Sequence, residues 1–108
     1  MKLGVSFIGK NKIVVAIYDE EFKRLRIVRV STFNDLREIV NVTKPKEIYL
    51  DKSALELKEG LSYLGEVKES KEISEEELNN KLKEIELLSL IKKEDMSAIK
   101  AVLSDQTS

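Results

Sequence analysis

Cysteine and histidine are both absent from the 108 residues of this chain. Without cysteine there can be no disulfide, no thiolate nucleophile and no cysteine-ligated metal. Without histidine the chain lacks the commonest general base and the commonest transition-metal ligand. Any chemistry must therefore come from carboxylates, lysines or hydroxyl groups, and a bound metal would be a hard cation held by oxygen atoms, such as Mg²⁺, Mn²⁺ or Ca²⁺.

Glycine is scarce as well, with four residues, and proline occurs once. A chain with so few glycines offers few places where the backbone can approach a phosphate closely. Neither a P-loop nor a dinucleotide-binding fingerprint is present. These absences argue against both of those classes of nucleotide-binding protein.

Long hydrophobic runs are missing too, because no stretch approaches the length of a membrane span. The first ten residues, MKLGVSFIGK, lack the length and the small-residue cleavage site of a signal peptide. We therefore expect a cytoplasmic protein. The length suits one domain, so we predict a single α/β domain over residues 1–103 and a frayed polar tail over residues 104–108.

The chain is rich in charge of both signs. Charged residues make up 36% of it and hydrophobic residues 42%, as in a folded and very soluble protein. The bias toward Lys and Glu resembles proteins from hot environments. The net charge of −1 argues against a protein coated in nucleic acid, because such domains usually carry a basic excess or at least a basic face.

The first thirty residues predict three strands, at residues 3–8, 13–18 and 25–30. The middle one, IVVAIY, is apolar at nearly every position, which suits a strand covered on both faces. The third alternates loosely between apolar residues and Arg26 or Arg29, as a strand nearer an edge would. Because the connections are short, the three strands should form an antiparallel meander.

The middle of the chain changes to helical spacing. Thr32 is a good N-cap for a first helix, and a short strand, EIYL, follows at residues 47–50. Ser53 and Glu56 form a capping box, in which each side chain can satisfy a free backbone N–H at the start of a second helix. Gly65 is the natural residue to end that helix.

The last third predicts one more strand and two helices. Residues 66–73 should contain a short edge strand. Ser74 with Glu77 forms a second capping box, which begins a long helix whose apolar stripe runs over residues 78–88. A final helix covers residues 96–103. The complete order is β-β-β-α-β-α-β-α-α, which implies a mixed sheet with helices packed on it.

This order of elements is similar to that of the ribonuclease-H-like superfamily, which includes the RuvC-type Holliday-junction resolvases and their YqgF relatives. The segment LGVSFIGKNKIVVAIYD resembles the opening strand-turn-strand of that superfamily. The segment KKEDMSAIKAVLSD resembles the last helix of the resolvases. The resemblance implies a ribonuclease-H-like α/β fold over nearly the whole chain.

The resemblance also implies where an active site would lie. In these nucleases, carboxylates from the first strand, the fourth strand and the last helix hold two divalent cations for phosphodiester hydrolysis. By position, Ser6 stands where the first-strand acid is expected and cannot supply its charge. Asp51 ends the fourth strand, and Glu94 or Asp95 could serve in the last helix, where Ser97 stands in place of a second acid. The implied acidic site is therefore incomplete.

Each remaining acid also has a plain structural explanation. Asp51 lies between a strand and a helix, where Asp is favoured as a turn residue. Glu94 and Asp95 precede an apolar helix, where capping and the helix dipole favour acidic side chains. Structural roles therefore explain these three residues better than metal binding does.

The resulting leading hypothesis is a non-catalytic ribonuclease-H-like module for binding or scaffolding, which engages a protein partner or a nucleic acid within a larger complex and needs no cofactor. One alternative is a divalent-metal-dependent nuclease that uses Asp51 with Glu94 or Asp95 and binds Mg²⁺ or Mn²⁺. Another is a small structural homodimer.

The apolar stripe after residue 78 is the candidate protein interface. It continues through Leu88 into Leu90 and Ile91, which is more than one face of a helix needs. Exposed apolar patches usually mark an interface. Two interpretations follow: the stripe belongs to the core, or Leu88, Leu90 and Ile91 contact a partner or a second copy of the chain.

Overall fold

A six-stranded mixed sheet forms the centre of the computed structural model, which describes residues 1–104. The strands are β1 (Lys2–Ile8), β2 (Lys12–Asp19), β3 (Arg24–Val30), β4 (Glu47–Leu50), β5 (Glu66–Glu69) and β6 (Glu86–Leu87). They lie in the order β5-β4-β1-β2-β3-β6.

Strand direction follows the length of the connections. Short turns join β1 to β2 and β2 to β3, and both pairs are antiparallel, as predicted for the meander. The other pairs, β1 with β4, β4 with β5 and β3 with β6, are parallel. The strand β2 therefore runs opposite to the other five.

Four α-helices and two short 3₁₀ helices complete the described residues. Thr32 and Ser74 cap their helices as predicted, since each hydroxyl accepts a backbone N–H at 3.1 Å. The α-helices are α1 (Phe33–Thr43), α2 (Lys58–Leu61), α3 (Glu75–Leu82) and α4 (Met96–Leu103), and the 3₁₀ helices are Lys52–Leu57 and Lys93–Asp95. No helix within residues 1–104 combines the length and apolarity needed to cross a bilayer.

The two faces of the sheet bury separate apolar clusters. On one face Leu3 and Val5 pack with residues of α1, of the 3₁₀ helix that follows β4 and of α2. On the other face Val14 and Leu25 pack with residues of α3 and α4. Successive residues of a strand point to opposite faces, so the meander contributes to both clusters, in agreement with the near-continuous apolar pattern of β2.

The predicted long helix over residues 78–88 is wrong. The helix α3 ends at Leu82, and Glu86–Leu87 form a strand that the sequence did not predict. Glu86 donates its N–H to Lys23 O and Leu88 donates its N–H to Leu25 O, both at 2.8 Å. Because the chain extends beside β3, this segment satisfies its backbone groups in the sheet rather than in another helical turn.

The second predicted helix differs as well. Asp51, not Ser53, is the N-cap, and a 3₁₀ helix followed by the four residues of α2 replaces one continuous helix. The helix α2 ends at Leu61 with Ser62 as its C-cap, so Gly65 is not its cap. An edge strand is present where residues 66–73 predicted one, limited to Glu66–Glu69.

The predicted tail begins one residue too early. Ser104 is buried, and its hydroxyl accepts the backbone N–H of Lys71 at 3.1 Å and donates to Ala101 O at 2.7 Å. Ser104 is therefore part of the folded domain. Residues 105–108 of the predicted tail lie outside the described residues.

Candidate functional site

The ends of β1 and β4 and the start of α4 lie close together. Asp51 donates its N–H to Val5 O at 2.9 Å, which continues the parallel pairing past the last residue of β4 and places Asp51 beside Ser6. The helix α4 lies directly on β1, because a Cβ built on Gly4 would stand 2.2 Å from Ala98 O. These are the three segments that the sequence analysis expected to converge.

Ser6 is completely buried at this place. It lies at 0% exposure, and its hydroxyl oxygen has no hydrogen-bond partner among the described residues. A neutral hydroxyl supplies no charge for a cation. Position 6 therefore contributes polarity to this site without contributing a metal-binding carboxylate.

Asp51 has a defined structural task. Its Oδ2 accepts the N–H of Ser53 at 3.0 Å and the hydroxyl of Ser53 at 2.6 Å. The Ser53 hydroxyl oxygen in turn accepts the N–H of Phe7 at 3.0 Å. The carboxylate of Asp51 thus caps the 3₁₀ helix and, through Ser53, joins the start of that helix to the end of β1.

Asp95 lies elsewhere. Its carboxylate is fully buried and forms a two-point ion pair with Arg29 of β3, and it also accepts the N–H of Lys92 at 2.8 Å. The strands β1 and β2 separate β3 from β4. Since neighbouring strands lie about 4.8 Å apart, Asp95 is directed to a part of the sheet remote from Asp51.

Glu94 shares the surroundings of Asp95. Its Oε2 lies 3.2 Å from Lys12 Nζ and 3.5 Å from Arg29 Nε. Both acids before α4 are thus paired with cations of β2 and β3. The structure does not bring them together with Asp51, and residues 1–104 contain no group of three or more acidic side chains placed to hold a metal.

A cavity of about 340 Å³ opens beside Asp51, between the ends of β4 and β5 and the start of α4. We call it the lysine cleft. Ser70 donates its N–H to Leu50 O at 2.9 Å, which holds the chain leaving β5 alongside the end of β4. The cleft is lined by Asp51, Lys52, Ser70, Lys71, Glu72, Ile73, Ser97 and Lys100.

Three lysines and two carboxylates line the lysine cleft, an excess of one positive charge before the nearby Glu75 is counted. The carboxylate of Asp51 keeps its negative charge while it accepts hydrogen bonds from Ser53. Lys100 contacts Glu75 at 3.0 Å, and this pair is open to solvent, with side chains 37% and 74% exposed. Such an exposed pair is weak, so an anion can compete for the ammonium group.

Sequence reasoning missed the lysines of this cleft. Lys52, Lys71 and Lys100 come from three separate segments and are far apart in the sequence, so no local basic cluster marks them. The only signal was positional: Asp51 and Ser97 were already placed at this point by the resemblance. The fold brings three lysines that are far apart in the sequence to the lining of one cleft.

The predicted interface residues lie near the β6 edge of the sheet, opposite the β5 edge where the lysine cleft opens. Leu88 and Leu90 are 43% and 80% exposed, whereas Ile91 packs partly against the cluster under α3 and α4. They lie in the irregular chain between β6 and the 3₁₀ helix Lys93–Asp95 rather than in a helix. Two of the three are thus accessible to a partner.

No protein-family model matches this chain, and no curated protein matches it either.

Proposed function

We propose that this protein is a non-catalytic, ribonuclease-H-like binding module that holds the phosphate backbone of a nucleic acid in the lysine cleft, as part of a larger complex. The observation that carries the proposal is the set of three lysines lining the place where the resemblance would require carboxylates. A site for hard cations needs several negative charges close together. A phosphate-binding site needs positive charges and hydrogen-bond donors instead.

The contacts of the acidic residues support a non-catalytic role. The carboxylate of Asp51 caps the 3₁₀ helix by accepting hydrogen bonds from Ser53. The carboxylate of Asp95 accepts hydrogen bonds from Arg29 and from the Lys92 N–H. Ser6 offers only a hydroxyl. A two-metal nuclease stabilises the attacking and leaving oxygens through cations held by several carboxylates, and these three positions are not arranged to do that.

The groups in the cleft suit phosphate oxygens. An ammonium group is a strong point-charge donor to phosphate, and the hydroxyls of Ser70 and Ser97 add neutral donors. Displacing Glu75 frees Lys100 for the ligand. Lysine contacts to phosphate carry no sequence information, so binding should depend little on base sequence.

The size of the site predicts weak binding that depends on salt. With three lysine contacts to a single strand, log K should fall with log salt at a slope of roughly −2. The near-neutral net charge of the whole chain adds no long-range attraction. Affinity of this kind is useful when other subunits of a complex supply further contacts.

Fluorescence anisotropy with a labelled single-stranded oligonucleotide tests the proposal. The double variant Lys52→Glu/Lys71→Glu should abolish binding. A matched control is Lys83→Glu, an exposed lysine after α3 that does not line the cleft, and it should bind as the wild type does. Equal affinities for all three proteins would refute the assignment of the cleft.

A separate assay addresses the nuclease alternative. Nicked, branched and RNA–DNA hybrid substrates are incubated with Mn²⁺ and with either the wild type or Asp51→Asn. We expect no cleavage by either protein. Cleavage that Asp51→Asn abolishes would overturn the non-catalytic proposal in favour of a metal site that includes Asp51.

A further inference from the structure

Two pairs of lysines that are far apart in the sequence meet at one end of the sheet. Lys10 lies in the turn that joins β1 to β2, and Lys12 is the first residue of β2. Lys92 and Lys93 begin the 3₁₀ helix that precedes α4. Lys12 Nζ lies 3.2 Å from Glu94 Oε2, a contact that holds the start of β2 beside this 3₁₀ helix. The fold therefore gathers both pairs at the end of the sheet where β1 stops.

The acidic residues of these two segments are already paired with cations. Glu94 pairs with Lys12, and Asp95 pairs with Arg29 of β3. Three exposed lysines are left over, and within residues 1–104 none of them forms an ion pair. We call this group the lysine rim, and it consists of Lys10, Lys92 and Lys93.

The lysine rim is contiguous with the lysine cleft along α4. Ser97 and Lys100 line the lysine cleft, and residues three apart lie near each other on one side of a helix. Lys93 precedes Ser97 by four residues, at the start of the 3₁₀ helix that leads directly into α4. The same helical stretch therefore carries one lysine of the rim and one lysine of the cleft.

A second connection between the two groups runs across the sheet. The Ser53 hydroxyl accepts the N–H of Phe7 at 3.0 Å, which holds the chain that follows β4 beside the end of β1. Lys52 precedes Ser53 and lines the lysine cleft, whereas Lys10 follows Phe7 by three residues. Because β1 lies between β4 and β2, the end of β4 and the start of β2 are about 10 Å apart.

The charges of the two groups favour a ligand that reaches both. Three lysines line the lysine cleft together with two carboxylates, and the nearby Glu75 leaves the cleft alone without net charge. The lysine rim adds three positive charges that no acid of its own segments neutralises. A single phosphate group cannot span about 10 Å, whereas a strand with regularly spaced phosphates can contact lysines at both places.

We propose that a nucleic-acid strand held in the lysine cleft continues across the lysine rim, so that the ligand is an oligonucleotide rather than a mononucleotide. This inference rests on the proposed function and names the size class of its ligand. Three further lysine contacts should steepen the fall of log K with log salt from a slope of roughly −2 to roughly −4.

Fluorescence anisotropy with a labelled oligothymidylate of about 16 nucleotides, titrated at several salt concentrations, tests this path. The double variant Lys10→Gln/Lys93→Gln should bind more weakly, with a slope shallower by roughly 1.4, because two phosphate contacts are lost. The matched control is Lys44→Gln/Lys83→Gln, which removes the same charge from two exposed lysines. These lysines precede the starts of β4 and β6, at the opposite end of the sheet, so the control should bind as the wild type does.

The outcomes separate this inference from the proposed function. If the rim variant binds as the wild type does while Lys52→Glu/Lys71→Glu does not bind, the path over the lysine rim is wrong and the lysine cleft stands. Equal weakening by the rim variant and its control would show an effect of net charge alone and would also overturn the path. If the wild type itself does not bind at low salt, the proposed function and this inference fail together. Circular dichroism should show an unchanged fold for every variant, since the substituted side chains are exposed.

Discussion

Arg29 and Asp95 form a two-point ion pair in which one partner is buried and the other reaches solvent. Arg29 Nε lies 3.1 Å from Asp95 Oδ1, and Arg29 Nη2 lies 2.5 Å from Oδ2. The Asp95 side chain is 0% exposed and the Arg29 side chain 30%. The pair fixes the 3₁₀ helix before α4 to β3, and so positions α4 on the sheet.

Removing the cation from this pair should destabilise the protein more than removing the carboxylate. Arg29→Met leaves a buried carboxylate without its counter-ion, which costs about 3–5 kcal/mol. Asp95→Asn leaves an arginine that water can reach and should cost about 1.5–3 kcal/mol. Urea denaturation of both variants measures the difference, and an equal or reversed order would contradict the asymmetry of burial.

The close approach of α4 to β1 makes Gly4 sensitive to one added methyl group. In Gly4→Ala the new Cβ would lie 2.2 Å from Ala98 O and 2.8 Å from Val102 Cβ. The helix would have to shift, at a cost of about 1–3 kcal/mol or more.

Gly65→Ala is the matched control for that substitution. Its Cβ would meet Pro45 O at 3.6 Å, an ordinary contact. We expect this variant to match the wild type or to be slightly more stable, since alanine restricts the unfolded chain. Thermal unfolding compares the two variants, and similar losses in both would argue against tight packing at Gly4.

Two substitutions of Asp51 can separate the effect of its helix capping from the effect of its negative charge. Asn caps a helix as well as Asp does, whereas Ala does not, so Asp51→Asn should be nearly neutral and Asp51→Ala should cost about 1 kcal/mol. Asp51→Asn also removes a negative charge from the lysine cleft and should tighten oligonucleotide binding. Thermal unfolding and anisotropy measure the two effects, and weaker binding by Asp51→Asn would contradict an anion site.

Glu20 should make stability depend on pH. A hydrogen bond from the Lys46 ammonium group lowers the pKa of Glu20 below its ordinary value of 4.5, against the opposing effect of burial, and Lys2 lowers it further. A carboxyl whose pKa is lower in the folded state stabilises the protein at neutral pH. This contribution is lost as the pH falls below 4.5 and through the folded pKa.

The variant Glu20→Gln should therefore be less stable than the wild type at neutral pH and equal to it in strong acid. With a side chain 33% exposed, the loss at neutral pH should be about 0.2–1 kcal/mol. Glu21→Gln is the control, because it removes one negative charge from an exposed side chain of the same turn. A difference that persists in acid would point to a cause other than charge.

Patterns among neighbouring residues predicted the strands and helix caps that depend only on neighbouring residues. The meander follows from three apolar runs joined by short turns, and the caps at Thr32 and Ser74 follow from a hydroxyl placed three residues before the N–H that it accepts. The mixed sheet then follows from the order of the elements. These features need no knowledge of distant contacts.

The sequence could not reveal the features that depend on distant partners. The leucines at 87, 88 and 90 fit a helical stripe as well as a strand, and only pairing with β3 decides between them. In the same way, nothing near Asp95 in the sequence indicates Arg29, and nothing near Lys52 indicates Lys100. The candidate site was located by the ends of strands, but its charge was set by side chains from three elements.

The unequal lengths of the strand pairs have a consequence for amide hydrogen exchange. The strands β1 and β2 match over seven positions, whereas β6 matches β3 over only two. Protection should therefore be greatest in β1 and β2 and least in β6, which can open locally while the rest of the sheet stays folded. The edge strand β6 is thus the part of the sheet that can change its backbone conformation at the smallest cost in free energy.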